Sequence, residues 1–241
     1  MKRKIKIPAL VLYFVGIFFI GFGIPLMITS DLGITVVTSF PYALAVVTGV
    51  FTVGMWVTIV QCIILLITIL ILKRFTISML ASFVTAYLLG LTIDMANLIL
   101  ENLAFASFVA KMINVVIGSC LTGFGAGMLV FSAYPPVPDL VFIRDISKAK
   151  SISLNKMKIL MDLTFFVLTV TLTLSTLGHV LGIGWGTAVS LAIIGVVVGQ
   201  TEKLLRKTLA RAHLFNEEKE HQFFEYNLLS LLSRKNKKTT E

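Results

Sequence analysis

The chain alternates long apolar runs with short polar or basic connections. Six runs are long enough, as helices, to cross a hydrocarbon core of roughly 30 Å. They cover residues 8–29, 53–72, 77–100, 105–131, 157–177 and 180–199. Most of them have no polar face, whereas the surface helices of soluble proteins do. The pattern therefore predicts an all-α polytopic membrane protein with six transmembrane helices.

Two shorter segments interrupt this series. Residues 34–49 are apolar and contain Pro41, and residues 134–146 contain Pro135, Pro136 and Pro138 and are amphipathic from Leu140 onward. Apolar segments too short to span a bilayer are often re-entrant or interfacial. We predict that both are broken and re-entrant, and the alternative is that both are surface loops lying in the interface.

The two halves of the chain resemble each other. Gly21-Phe22-Gly23 is repeated at Gly123-Phe124-Gly125. Met55 and Met157 are separated by the same number of residues as these two motifs. Ser82–Gly90 resembles Thr187–Gly195 at a slightly larger spacing. We predict one membrane domain, residues 8–200, made of a first repeat over 8–102 and a second over 105–200. Each repeat has three spans, an odd number, so the second should be inverted relative to the first, as in many transporters.

The basic residues predict the orientation. With both termini in the cytoplasm, the inside segments are 1–7, 73–76, 132–156 and 201–241. Together with the flanking Lys158 they hold every lysine and arginine except Lys111. This distribution follows the positive-inside rule. Making residues 34–49 a full span would invert everything downstream, so we reject that count.

Composition agrees with a membrane protein, with 57% apolar and 14% charged residues. Residues 1–7 form a basic cytoplasmic N-terminus, and residues 201–241 form a basic tail with Phe223 and Phe224 beside its charges. The tail predicts an amphipathic helix that binds anionic inner-leaflet lipids. On an integral membrane protein, nucleic acid is the weaker explanation of these charges, and we expect no nucleic-acid partner.

Ionisable residues near the spans are candidates for function, because burying a charge in a bilayer is costly. Asp94 and Lys111 lie near the outer ends of the third and fourth spans, which predicts a structural ion pair. Lys158 and Asp162 have i,i+4 spacing, which predicts a local ion pair. Asp139 follows Pro138 at the start of a helix, where it could cap the helix or bind a ligand.

The two re-entrant segments predict a candidate substrate site. Their tips should meet near the bilayer midplane and line a small polar cavity, because non-helical backbone at that depth needs protein or water around it. The predicted lining groups are carboxylates and hydroxyls: Asp31, Thr35, Thr38, Ser39, Ser132 and Asp139.

The sequence has no G-x-S-x-G, no H-E-x-x-H and no Cys/His cluster. We therefore expect no enzyme activity, no catalytic residue, no metal ligand and no cofactor. One function class is a transporter or permease for an unidentified small polar or charged solute. Another is a non-transporting scaffold that assists a membrane partner or forms a homo-oligomer. A third, between them, is the substrate-binding subunit of a larger transporter.

Several motifs carry a family resemblance that runs from Tyr13 to Leu205. They are GFGIPLMITSDLG at Gly21–Gly33, Thr48-Gly49, Asp94, KMKILMD at Lys156–Asp162 and GIGWGTAVSLAIIG at Gly182–Gly195. The chain resembles the YczE/YyaS/YitT group of bacterial integral membrane proteins, and most closely the YczE branch. Thr35-Val36-Val37-Thr38 stands where that group usually has a Pro-Trp-Asp-like turn. The resemblance implies a multi-pass protein of the bacterial cytoplasmic membrane, and it implies a fold rather than an activity.

Overall fold

The computed structural model describes residues 9–103, 105–132, 134–205 and 207–208. This part of the chain is all-helical, with eight α-helices and no strand. In chain order they are α1 (Ala9–Ser30), α2 (Val36–Thr48), α3 (Val53–Leu72), α4 (Ile77–Leu100), α5 (Phe108–Phe131), α6 (Pro138–Lys150), α7 (Leu154–Leu177) and α8 (Trp185–Leu205). The basic N-terminus and most of the predicted lipid-binding tail lie outside the described residues.

Six of these helices are long and apolar enough to cross a membrane, as the sequence predicts. α3 and α4 have the predicted bounds. α5 and α7 begin elsewhere than predicted because serines cap them: Ser107 accepts a hydrogen bond from the backbone of Ala110, and Ser153 from that of Lys156. α8 begins only at Trp185, after the positive-φ residue Gly182, and continues to Leu205.

The predicted break of the first short segment at Pro41 is not observed. α2 runs continuously through Pro41, which is buried, from the extended residue Thr35 to the left-handed residue Gly49. A proline inside a helix removes one backbone hydrogen bond, and packing against neighbouring helices compensates for that loss in membrane proteins. The break in the chain lies before the helix, at residues 31–35.

The second short segment, α6, is longer than predicted and ends at Lys150 rather than at Ile146. Pro138 occupies the first turn, where a proline costs no hydrogen bond, and Pro135 and Pro136 precede the helix. Ser151 ends the helix in the left-handed conformation, with its N–H bonded to the carbonyl of Ser147.

The two short helices and the turns before them repeat the same local structure. α2 and α6 have equal lengths. The first residues of the two helices, and likewise their last residues, are as far apart in the sequence as Gly21 and Gly123. Ser30 at the end of α1 and Ser132 after α5 have this spacing too. Each of these hydroxyls donates to the carbonyl three residues earlier and accepts from the N–H two residues later. The predicted sequence repeat therefore has a structural counterpart.

Glycines bring α1 and α5 into close contact. A Cβ atom on Gly16 would lie 2.8 Å from the carbonyl oxygen of Gly125, and one on Gly23 would lie 2.6 Å from that of Gly118. Gly16, the earlier of the two glycines in α1, therefore contacts Gly125, the later of the two in α5. Gly23, the later in α1, contacts Gly118, the earlier in α5. The two helices are antiparallel where they cross, and only glycine fits there.

The remaining helices pack in matching pairs around this crossing. α1 contacts α4 as α5 contacts α8, α2 contacts α7 as α6 contacts α3, and α2 contacts α3 as α6 contacts α7. Large apolar side chains on the outer faces of the long helices are exposed, among them Leu70, Leu98 and Ile159. Such faces are expected where lipid covers the protein.

Candidate functional site

A groove runs between α3 and α7, with a volume of 270 Å³. One phenylalanine comes from each short helix: Phe40 from α2 and Phe142 from α6. The long helices supply the rest of the lining: Val60, Ile63, Ile64 and Ile67 from α3, and Met157, Leu160, Met161, Thr164, Phe165 and Leu168 from α7. We call this the central groove.

Equivalent positions of the two halves line the central groove. Phe40 and Phe142 are separated by the repeat spacing of Gly21 and Gly123. The four α3 residues follow an i, i+3, i+4, i+7 pattern, which marks one face of a helix. Met161, Thr164, Phe165 and Leu168 follow the same pattern at the same distances from the start of α7, in a register one residue shorter than the one in which Met157 matches Met55. The groove therefore lies where the two halves of the chain face each other.

The walls of the central groove are apolar. Thr164 is its one hydroxyl-bearing lining residue, and its side chain donates to the carbonyl of Leu160 at 2.9 Å. Val60 and Phe165 are buried, whereas Ile63 is 51% and Leu160 is 56% exposed, so one side of the groove is open. A groove of this kind fits an acyl chain or a ring better than a small polar solute.

None of the six residues predicted to line a polar cavity lines this groove. Asp31 is exposed in a left-handed turn after α1. Thr35 and Thr38 contact each other through their hydroxyls at the start of α2. Ser39 donates to the carbonyl of Val36 at 2.7 Å and lies 2.9 Å from the hydroxyl of Thr169 in α7.

Ser132, the fifth of the six, uses its hydroxyl to satisfy backbone groups at the end of α5. Short hydroxyl and carboxamide side chains next to a helix end commonly bond the local backbone. This local use accounts for the hydroxyls of the set, and a substrate role for them stays a prediction.

Asp139, the sixth, belongs to a different environment. Its backbone N–H donates to Oε1 of Gln61 at 3.0 Å, and Gln61 is a buried polar residue in the otherwise apolar α3. Its carboxylate oxygen Oδ1 is enclosed and has no hydrogen-bond partner among the described residues. The start of α6 is therefore fixed to the middle of α3, with a carboxylate oxygen left unsatisfied.

Two charged residues of α7 complete this region. The Nζ atom of Lys158 lies 2.5 Å and 2.6 Å from the two carboxylate oxygens of Asp162, in agreement with their spacing. The charge of Lys158 also acts on the carboxyl of Asp139. We call Gln61, Asp139, Lys158 and Asp162 the polar cluster, and it contains one more carboxylate than ammonium group.

A second charged group fixes the far part of α6. Asp145 is 5% exposed, accepts a hydrogen bond from Nε of Arg144 at 2.8 Å, and forms an ion pair at 3.2 Å with Arg74, in the turn after α3. This contact ties α6 to the connection between α3 and α4. The role of Asp145 was not predicted from the sequence because its partner Arg74 is distant in the chain. Gln61 was not predicted either, although a lone amide in an apolar span is a visible signal.

Asp94 lies at a pocket with a volume of 480 Å³. Residues of α1, α3 and α4 line this pocket, together with Thr52, which caps α3, and Glu101, which follows α4. Its carboxylate accepts from the hydroxyl of Thr52 at 2.6 Å and from the N–H of Gly54 at 2.7 Å. The predicted ion pair with Lys111 does not form among the described residues. Asp94 instead caps the start of α3, because α3 and α4 pack closely at Gly54 and Gly90.

The two most distinctive sequence motifs pack against each other. The N–H of Gly186 donates to the carbonyl of Leu32 at 2.8 Å, and the N–H of Ile34 donates to that of Gly182 at 3.0 Å. Gly33 has a φ of 105°, and a Cβ there would lie 2.6 Å from the backbone nitrogen of Gly184. These glycines let the turn before α2 contact the loop before α8.

The helices define an all-helical, multi-pass membrane protein. In its described part, no group of three or more His, Cys, Asp or Glu side chains could hold a metal ion. The chain belongs to a family of unknown function, DUF6198, whose model matches residues 7–203. No curated protein and no solved structure matches the chain.

Proposed function

We propose that this protein is a small membrane transporter that moves a solute with an apolar portion through the central groove. The observation that carries the proposal is the lining of the groove by equivalent positions of α3 and α7 and of α2 and α6. Transporters built from two repeats bind substrate at the interface between them. We place the protein in the bacterial cytoplasmic membrane, with both termini inside.

The relation between the halves supports an inverted repeat. Gly16 meets Gly125 while Gly23 meets Gly118, and in each case the partner is the repeat equivalent of the other glycine. Reciprocal contacts of this kind are made by two units related by a two-fold axis. Because α1 and α5 are antiparallel at the contact, the axis is perpendicular to them. In spanning helices, such an axis lies in the membrane plane, which is the arrangement of inverted repeats.

The short helices support a site at membrane depth. α2 and α6 each begin after an extended segment and have buried first turns. Non-helical backbone is tolerated at that depth where protein buries it. Rocking of one half against the other would open the central groove alternately to the two sides. The apolar walls favour a solute with an apolar portion over the small polar solute expected from sequence.

The experiment is uptake into liposomes that contain the purified protein, with a panel of labelled short-chain amphiphiles carrying cationic, neutral or anionic head groups. Liposomes without protein give the passive rate. We expect protein-dependent uptake of at least one class. Ile63→Trp, which fills the groove, should reduce it about tenfold, whereas Leu70→Trp on the outer face of the same helix should leave it unchanged.

Failure of the whole panel, with correctly inserted protein, would contradict transport and favour the scaffold function. Equal uptake by both tryptophan variants would contradict the groove as the route.

A further inference from the structure

We infer that the solute is an amphipathic cation whose charged head binds Asp139 while its apolar part occupies the central groove. This inference rests on the proposed function and adds the charge of the substrate.

The polar cluster adjoins the groove on three helices. Asp139 lies one turn before Phe142 on α6, and residues i and i+3 share a helix face. On α3, Gln61 follows the lining residue Val60 directly. On α7, Lys158 and Asp162 each follow a lining methionine, Met157 or Met161. Gln61, Lys158 and Asp162 are next to lining residues in the sequence rather than on the same helix face, so Phe142 marks the side from which a molecule in the groove would reach Asp139.

The carboxylate of Asp139 has an unmet acceptor. Its Oδ1 is enclosed without a partner, and a buried acceptor without a hydrogen bond is unfavourable. Buried polar atoms in native proteins are otherwise nearly always bonded, so an orphan of this kind needs an explanation. An ammonium head group with N–H donors would supply the missing partner.

The start of α6 does not offer a site for an anion. Helix N-termini attract anions through free N–H groups. Here the N–H of Asp139 already donates to Gln61, and those of Leu140 and Val141 donate to the carbonyl of Val137. The donors of the first turn are thus used inside the protein.

The charges facing this position select a cation. Lys158 is bound to Asp162 at hydrogen-bond distance, so Asp139, when ionised, is the carboxylate of the cluster with no cation bound to it. An anion would meet the carboxylate of Asp139, and a neutral head without an N–H or O–H donor would leave Oδ1 unsatisfied. Discrimination arises from such mismatches as much as from the favourable contact.

The test compares three probes with the same tail: octylammonium, whose head donates through its N–H groups, octyl methyl ether, which has no donor, and octyl sulfate, which is an anion. Binding to the full-length protein in nanodiscs is measured by calorimetry, with empty nanodiscs subtracted. We expect the cation to bind about tenfold more tightly than either of the other probes. Asp139→Asn should abolish this preference, and Asp31→Asn, which changes an exposed carboxylate, should retain it.

The wild-type comparison needs no variant to fold, so it decides the inference alone. Equal binding of the three probes, weakened for all by Ile63→Trp, would overturn the cationic assignment and leave the groove proposal intact. Binding of no probe, or binding that Ile63→Trp does not change, would overturn both. Preference for the cation that survives in Asp139→Asn would contradict the role of Asp139.

Discussion

At the scale of single residues, two carboxylates hold short segments in place: Asp94 caps the start of α3, and Asp145 connects α6 to Arg74. Sequence placed Asp94 near the outer end of α4, but it could not show that packing at Gly54 and Gly90 brings the start of α3 to that carboxylate. Lys158 and Asp162 were predictable because their contact is local to one helix. Long-range pairs such as Arg74 with Asp145 depend on tertiary packing, which no local pattern encodes.

Asp145→Asn should lower the free energy of unfolding by about 2 kcal/mol, because it removes the charge that pairs with Arg74 and weakens the charged hydrogen bond from Arg144 at a buried group. Thermal unfolding of the purified protein in detergent measures the change. Glu101→Gln, at an exposed carboxylate, is the matched control. Equal melting temperatures for both variants would show that the arginine contacts do not stabilise α6.

Asp94→Asn and Thr52→Val should be non-additive in the same unfolding assay, because each removes the hydrogen bond between these two side chains. Contacting residues typically show coupling of about 0.5–3 kcal/mol. Asp94→Asn combined with Lys111→Gln should be additive. Coupling to Lys111 and none to Thr52 would reinstate the ion pair predicted from sequence.

At the scale of helices, sequence predicted the six spans because their apolar runs are long. It predicted less well where single residues set the boundaries. Ser107 and Ser153 cap their helices, whereas Pro41 does not end α2. The repeated glycines were visible in the sequence, but their reciprocal contact between α1 and α5 was not, since it depends on the relative orientation of two distant helices.

Gly118→Ala should destabilise the protein by about 1–3 kcal/mol, because its Cβ would lie 2.6 Å from the carbonyl oxygen of Gly23 and neither backbone can move independently. Gly195→Ala, with no atom within 4 Å of the new Cβ, should be neutral or stabilising by up to about 1 kcal/mol. Thermal unfolding compares the two. The same loss at both positions would mean that close approach of α1 and α5 is not what Gly118 provides.

At the scale of the whole molecule, the class of protein followed from hydropathy, whereas the site did not. Three of the six predicted polar residues, Thr38, Ser39 and Ser132, bond backbone groups close to them. The groove is made of apolar residues that resemble ordinary core positions in the sequence. Only the matching of α3 with α7 and of α2 with α6 distinguishes them. The likeness to the YczE/YyaS/YitT group stays a prediction.

The inverted relation of the two halves is the central claim, and cysteine labelling in intact cells tests it most directly. Thr48 and Lys150 are the exposed last residues of α2 and α6, and they are repeat equivalents. Thr48→Cys and Lys150→Cys are compared with an impermeant thiol reagent, in a background without Cys62 and Cys120. We predict labelling of the cysteine at 48 and protection of that at 150, with both labelled after permeabilisation. Labelling of both positions, or of neither, in intact cells would place the two short helices on one side and contradict the inverted repeat.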